Sequence, residues 1–224
     1  RKYFDVELIF PLRESYSSDK TEIIKNYYDL DKLSKYFRKF GYAALTDVDI
    51  EAESKGIVPT TDYMNKRYGR FGWSTGALLN FSIGQGEILV TPMQVLNYTN
   101  ILASRGITSK PHFVMSEILS TNKDPLLPAE DWDRITFDME QVVMHPKGTG
   151  KSANPLISGA RVYGKTGTAE DGEGGLDHAW FVCFTPSDKS ELLIVAFAQN
   201  TPGGGSVHAL PMAREILKVW NENN

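Results

Sequence analysis

GKTGTAE (Gly164–Glu170), AWFVCFTP (Ala179–Pro186) and ELLIVAFAQN (Glu191–Asn200) follow one another late in the chain. Their order decides the fold. The second and third are apolar runs of strand length separated by SDKS (Ser187–Ser190). They read as a hairpin buried on both faces. GKTGTAE precedes them as a third strand. TPGGGS (Thr201–Ser206) reads as a flexible loop. VHALPMAREILKVWNE (Val207–Glu222) reads as a closing helix, with Leu210, Ala213, Ile216, Leu217 and Trp220 on one stripe.

Upstream the periodicity is helical. Apolar residues from Thr21 to Phe40 (Ile23, Ile24, Tyr27, Tyr28, Leu30, Leu33, Tyr36, Phe37, Phe40) fall on a 3.6-residue repeat, and Gly41 stands at the C-cap. Thr91–Gly106 predicts another helix, with Thr91 as N-cap, Pro92 at the first helical position and Gly106 at the end. Tyr42–Tyr68 is mixed, with a loop signal at GIVPTTD (Gly56–Asp62). Asn122–Asp133 is Pro- and Asp-rich and reads as a loop. Phe137–His145 reads as a helix, and Phe4–Phe10 as a short strand or helix approach closed by Pro11. The expected architecture is one α/β unit (α+β in arrangement): residues 1–160 mainly helical, then an antiparallel sheet and a last helix over 161–224.

Composition excludes several classes. The chain has 224 residues, 41% hydrophobic and 23% charged, which allows a sizeable core. Its net charge of −4 gives no basic footprint for nucleic acid. Aromatics at 11% argue against disorder. No apolar run approaches the ~18 residues of a membrane span. The start, RKYFDVELIFPLRES, has charges within its apolar stretch and no signal-peptide cleavage pattern, and it lacks Met, so the chain reads as part of something longer. The single cysteine, Cys183, excludes an internal disulfide and reads as a small buried hydrophobe.

Lys165-Thr166-Gly167-Thr168 is the candidate anion site. The lysine supplies a point charge, the threonines directed hydroxyls, and the glycine room for an extended ligand along a strand. An exposed strand edge also pairs with peptide backbone. The set suits a peptide with a free carboxylate. Several other motifs fall away. GTGKS (Gly148–Ser152) mimics a phosphate loop, but the required first glycine is His145 and Pro146 interrupts it. SSDK (Ser17–Lys20) and STNK (Ser120–Lys123) match S-x-x-K, a spacing that sets an ammonium beside a serine hydroxyl, but the pattern is cheap. His112, His145, His178 and His208 have no partner at metal-ligand spacing. His178 could orient the loop beside the strand. There is no G-x-S-x-G elbow.

Taken in order, FSIGQGEILVTPMQVLNYTNILASRG, KPHFV, GTGKSAN, GKTGTAE, LDHAWFVCFTP, ELLIVAFAQN, GGGS and ALPMAREIL resemble the C-terminal part of class B penicillin-binding proteins of the elongation type. LDKLSKYFRKFGY and GIVPT extend the match, which runs from Leu30 to Trp220. GTGKSAN falls at a G-T-G-x-x-A segment of that family, which also removes the phosphate-loop reading. The resemblance implies a serine β-lactamase-like transpeptidase fold and a peptidoglycan D,D-transpeptidase that forms an acyl-serine on D-Ala-D-Ala stem peptides and binds β-lactams. It implies no metal or organic cofactor. It places the K-T-G motif at Lys165, Thr166 and Gly167, with Lys165 and Thr168 on the terminal carboxylate and a backbone N–H near Thr168 in the oxyanion hole.

The family's S-x-N motif falls about 150 residues before K-T-G, at Ser15-Tyr16-Ser17 or at Ser17-Ser18-Asp19. Ser15 or Ser17 would then take part in proton transfer, and Asp19 in substrate binding. The acyl-forming serine, a dimerisation module and a membrane anchor are expected outside this chain. The resemblance also implies a domain facing outward from the cytoplasmic membrane, with shape-determining membrane proteins and a glycan polymerase as partners. Competing readings are a D,D-carboxypeptidase, a β-lactamase, a β-lactam sensor, or a carboxylate-binding remnant without catalysis.

Overall fold

The computed structural model describes residues 29–114, 120–122, 127–156, 161–170, 175–185 and 192–223. The stretch Phe4–Phe10 and the serines Ser15 and Ser17 with Asp19 lie outside them.

The first described helix is α1 (Leu30–Lys39), and the Thr21–Tyr28 part of the expected helical repeat lies outside the described residues. Asp29 is extended at φ −90° and ψ 162°, and its carboxylate accepts the Lys32 N–H at 2.7 Å. A carboxylate in that place satisfies an orphan amide and favours the helix dipole. The helix ends as the sequence suggests. Gly41 adopts φ 95°, its N–H donates to Arg38 O, and the Tyr42 N–H donates to Phe37 O. The Phe37 and Tyr42 rings then meet at 5.7 Å, which closes a Schellman motif with an apolar contact.

GIVPTTD turns into α2 (Thr61–Tyr68), because Thr60 caps it through the Tyr63 N–H. Next come α3 (Thr75–Ser82), capped by Ser74, and α4 (Pro92–Ala103). Thr91 and Gln94 form a reciprocal capping box at the start of α4. The Gln94 amide also donates to Ala44 O at 2.9 Å and Lys55 O at 2.8 Å, tying the segment after α1 to this helix. At its end the left-handed residue is Arg105 (φ 53°), followed by Gly106 (φ 96°). A short antiparallel pair, β1 (Ile107–Ser109) and β2 (Ser120–Asn122), lies within the part expected to be mainly helical.

The segment Asn122–Asp133 is not all loop: α5 (Ala129–Met144) begins inside it. Pro128 precedes the helix, and Glu130 and Asp131 occupy its first turn. Proline and acidic residues are as much helix-start signals as loop signals. Trp132, Ile135, Met139 and Val143 form its buried face. A 3₁₀ turn (Lys151–Leu156) leads towards the sheet.

The three expected strands are β3 (Tyr163–Ala169), β4 (Asp177–Thr185) and β5 (Leu192–Thr201), antiparallel in the order β3-β4-β5. Alternation sorts their side chains. Tyr163, Ala169, Trp180, Val182 and Phe184 pack towards α1, α4 and α5. Ala179, Phe181, Cys183, Ile194 and Ala196 pack on the last helix, α6 (Ala209–Asn223). The sheet is thus the middle of three layers, and each large apolar side chain fully buried there contributes roughly 1.5–3 kcal/mol. The α6 stripe is narrower than the sequence suggests. Leu210, Ala213 and Leu217 are buried, Trp220 is half-buried, and Ile216 is 49% exposed. Small Ala209 and Ala213 bring the helix axis close to the sheet, so the seam runs through them and leaves Ile216 on the flank. Burial of Cys183 in this seam pushes its thiol up to about 12. Among the described residues no helix is long and apolar enough to cross a membrane.

Beyond β1, both oxygens of Asp49 hold the chain. They accept the Phe113 N–H at 2.6 Å and the Val114 N–H at 2.8 Å. These two amides, with a smaller contribution from the charge of His112, hold the Asp49 carboxyl below its ordinary range. The contribution to stability is therefore present above the unfolded value of about 3.9 and lost as pH falls through the lower folded value. The amide shifts of Phe113 and Val114 are expected to titrate with a midpoint below about 3.9 in an NMR pH series. A midpoint at or above that value would contradict the assignment.

Candidate active site

Strand β3 is an edge of the described sheet and presents its motif between two bodies of structure. Tyr163 anchors its start by stacking on Phe184, with centroids 5.2 Å apart and planes 17° apart. Lys165 and Gly167 then share the face of Tyr163, opposite Val182 and Trp180 of β4. They line a cavity of about 170 Å³ between sheet and helices. Its β3 wall is Lys165, Thr166, Gly167 and Ala169, and its floor is His178, Trp180, Val182 and Phe197. Phe37, Tyr42 and the Gly84–Val95 segment contribute the far wall. The site therefore joins one cation and a hydroxyl to a largely apolar chamber. Lys165 Nζ donates to Thr166 O at 3.0 Å.

Two neighbours fix the strand. The Thr166 hydroxyl meets the Thr149 hydroxyl at 2.7 Å. On the sheet's other side, Gly205 is buried directly against backbone. A β-carbon there would sit 2.0 Å from Trp180 O and 2.5 Å from Gly167 O. TPGGGS is accordingly not a loose connector, because its third glycine is wedged under the motif. Thr168 lies outside the cavity wall, with its hydroxyl beside Gly204.

His178 sits where the β4–β5 register shifts, between Asp177 and Ala179. Its Nδ1 accepts the Asn200 N–H at 3.1 Å, which leaves the proton of the neutral ring on Nε2. The Phe197 ring packs edge-on at 5.9 Å. The histidine thereby ties β4 to the end of β5, next to the glycine loop. Among the described residues no three His, Cys, Asp or Glu side chains gather at metal-binding distance. GTGKS follows a helix instead of a strand, unlike a phosphate loop.

The structure thus brings Lys165, Thr166 and Gly167 to one cavity. Sequence reasoning missed Thr149 and Gly205. The available signal for Thr149 was a hydroxyl held between two glycines; for Gly205 it was a run of three.

The sequence from residue 21 to residue 218 matches the family model described as the penicillin binding protein transpeptidase domain. The chain belongs to this family. Penicillin-binding transpeptidases also supply its relatives and its structural neighbours. Peptidoglycan D,D-transpeptidase MrdA of Haemophilus influenzae is 33% identical over 215 residues, covering 85% of this chain and 33% of the relative. MrdA of Escherichia coli K12 is 28% identical over 223 residues, covering 87% of this chain and 34% of the relative. A solved complex between penicillin-binding protein PBP2 and MreC from Helicobacter pylori shares the fold with TM-score 0.72 and 30% identity, over 88% of this chain and 36% of that one. Pseudomonas aeruginosa PBP2 in complex with WCK 5153 gives TM-score 0.70 and 28% identity, over 86% of this chain and 42% of that one. The chain spans about a third of the length of the curated relatives it matches. Its mixed helix and antiparallel-sheet architecture is that of the family.

Proposed function

We propose that the intact protein carrying this chain is a peptidoglycan D,D-transpeptidase that β-lactams acylate. The observation that carries this reading is Lys165 grouped with Thr166 and Gly167 at the mouth of an apolar cavity on a sheet edge. In this reading Lys165 and the threonine hydroxyls of Thr166 and Thr168 take the terminal carboxylate of a stem peptide. Gly167 leaves room for the ligand backbone, and a backbone N–H near Thr168 forms part of the oxyanion hole. A serine hydroxyl attacks the D-Ala-D-Ala carbonyl, its proton passes to a neighbouring base, and D-Ala leaves with a proton on its amine. The amine of a second stem peptide then displaces the serine and forms the cross-link.

No serine lines the cavity among the described residues. The nucleophile is assigned to an S-x-x-K segment upstream of Arg1, and Ser15 or Ser17, with Asp19, to the neighbouring proton-transfer and binding motif. The family resemblance extends the proposal to a membrane-anchored protein with its domain facing outward, and the H. pylori complex to a partner of the MreC kind. Its partners would be a shape-determining protein like MreC and a glycan polymerase.

Fluorescent penicillin tests the reading. The full-length protein is expected to label covalently, to lose labelling when the upstream S-x-x-K serine becomes alanine, and to release D-Ala with cross-linked product. The chain Arg1–Asn224 alone is expected not to label. Labelling of that chain, lost on Ser17→Ala, would place the nucleophile in SSDK instead. A full-length protein that never labels would leave only a carboxylate-binding remnant. Hydrolysed product without cross-links would mark a carboxypeptidase or β-lactamase.

A further inference from the structure

We propose that Thr149 is a positioning residue of the carboxylate site, acting through the hydroxyl of Thr166; the proposal rests on the function assigned to Lys165 and Thr166 above. The two hydroxyl oxygens are 2.7 Å apart although their residues are 17 apart in sequence. Thr149 is exposed, and its hydroxyl has this one bond among the described residues. A surface threonine left to itself would turn its hydroxyl to water.

The loop is built to hold it there. Gly148 N–H donates to His145 O at 2.8 Å, and Gly150 N–H donates to Val142 O at 2.9 Å. The Lys147 N–H donates to His145 Nδ1 at 3.1 Å. A β-carbon on Gly148 would lie 2.2 Å from Val142 O. Only glycine therefore lets the loop fold so tightly onto the last turn of α5, and the residue it projects is Thr149. From His145 to Ala153 the loop carries Lys147 and Lys151 and no acidic side chain that would compete for the hydroxyls.

The chemistry follows from counting protons. Each hydroxyl has one donor and two acceptor sites. When an anion approaches Thr166, its single proton must turn to the anion. Thr149 can then donate into the Thr166 oxygen, which keeps that oxygen satisfied and polarises its O–H towards the ligand. Without Thr149, the Thr166 hydroxyl has to be ordered by the ligand itself. The effect belongs to anionic ligands only.

The test uses the full-length protein and compares acylation by benzylpenicillin with acylation by its methyl ester, which lacks the anion. Thr149→Val is expected to lower the second-order acylation constant for the acid about 2- to 13-fold, the range of one hydrogen bond. The ester's constant and the melting temperature should stay at wild-type values, and Thr149→Ser should restore the acid's rate. Equal loss on acid and ester would mean a merely structural contact and overturn the proposal, as would no loss on either, or a serine variant that fails to restore the rate. The underlying reading fails separately. It falls, and this proposal with it, if the wild-type protein does not acylate or treats acid and ester alike. Wild-type discrimination that survives intact in Thr149→Val sinks the role of Thr149 alone.

Discussion

One methyl group at Gly205 is expected to remove most penicillin acylation and to lower stability. The added β-carbon in Gly205→Ala would meet Trp180 O at 2.0 Å, Gly167 O at 2.5 Å and Gly167 N at 2.9 Å. All three are backbone atoms of paired strands, so no side-chain rotation relieves the clash. Overpacking of this kind costs about 1–3 kcal/mol or more, which is roughly 2–12 °C of melting temperature for a domain of this size. The relief open to the chain is to push β3 outward, and a shift of about 1 Å at a reacting centre can reduce rate about 100-fold. Gly203→Ala is the control, because its β-carbon would find nothing nearer than 3.4 Å. If the two variants melt and acylate alike, the wedge is not what holds the motif.

Lys165→Met is expected to give the next largest effect. It keeps an unbranched stem of similar length and removes the charge. A hydrogen bond to a charged group contributes about 1.5–3 kcal/mol, so acylation by carboxylate-bearing β-lactams should fall about 10- to 150-fold. Measured on the full-length protein, a wild-type acylation constant would show that the carboxylate is anchored elsewhere. The fold should tolerate the change, because Lys165 is only partly buried.

Much of this was legible in the sequence, and for local reasons. The strands AWFVCFTP and ELLIVAFAQN announced themselves by length and apolar continuity, and GKTGTAE by its place before them. Thr91 and Pro92 marked the start of α4 by signals that act within one turn, and the capping box with Gln94 completes them. The ends of helices were harder. Asp29 sits within an apolar repeat that looks helical straight through it, and Pro128 to Asp131 looks like a loop until the helix dipole is considered. Contacts between distant segments left almost no trace. Nothing in the spacing of Thr149 and Thr166 says that two hydroxyls meet, and a glycine wedged against backbone looks in sequence like one in a flexible linker. For the site, the motif at Lys165, Thr166 and Gly167 was readable, whereas the parts that hold it still were not. The assignments at Ser15, Ser17 and Asp19 fall outside the described residues.

The buried thiol between sheet and α6 makes the molecule its own reporter. Cys183 is the chain's single cysteine, and it is fully buried in the apolar cluster that the helix shares. A thiol-selective reagent can therefore reach it only when α6 lifts or the strands part, so the rate of modification counts openings of that seam. The glycine wedge against Gly167 leads into α6 within a few residues, which places the clock on the element that follows the wedge. Changes in that seam, whether by substitution or by a ligand on the far side of the sheet, can be timed without adding a label to the protein.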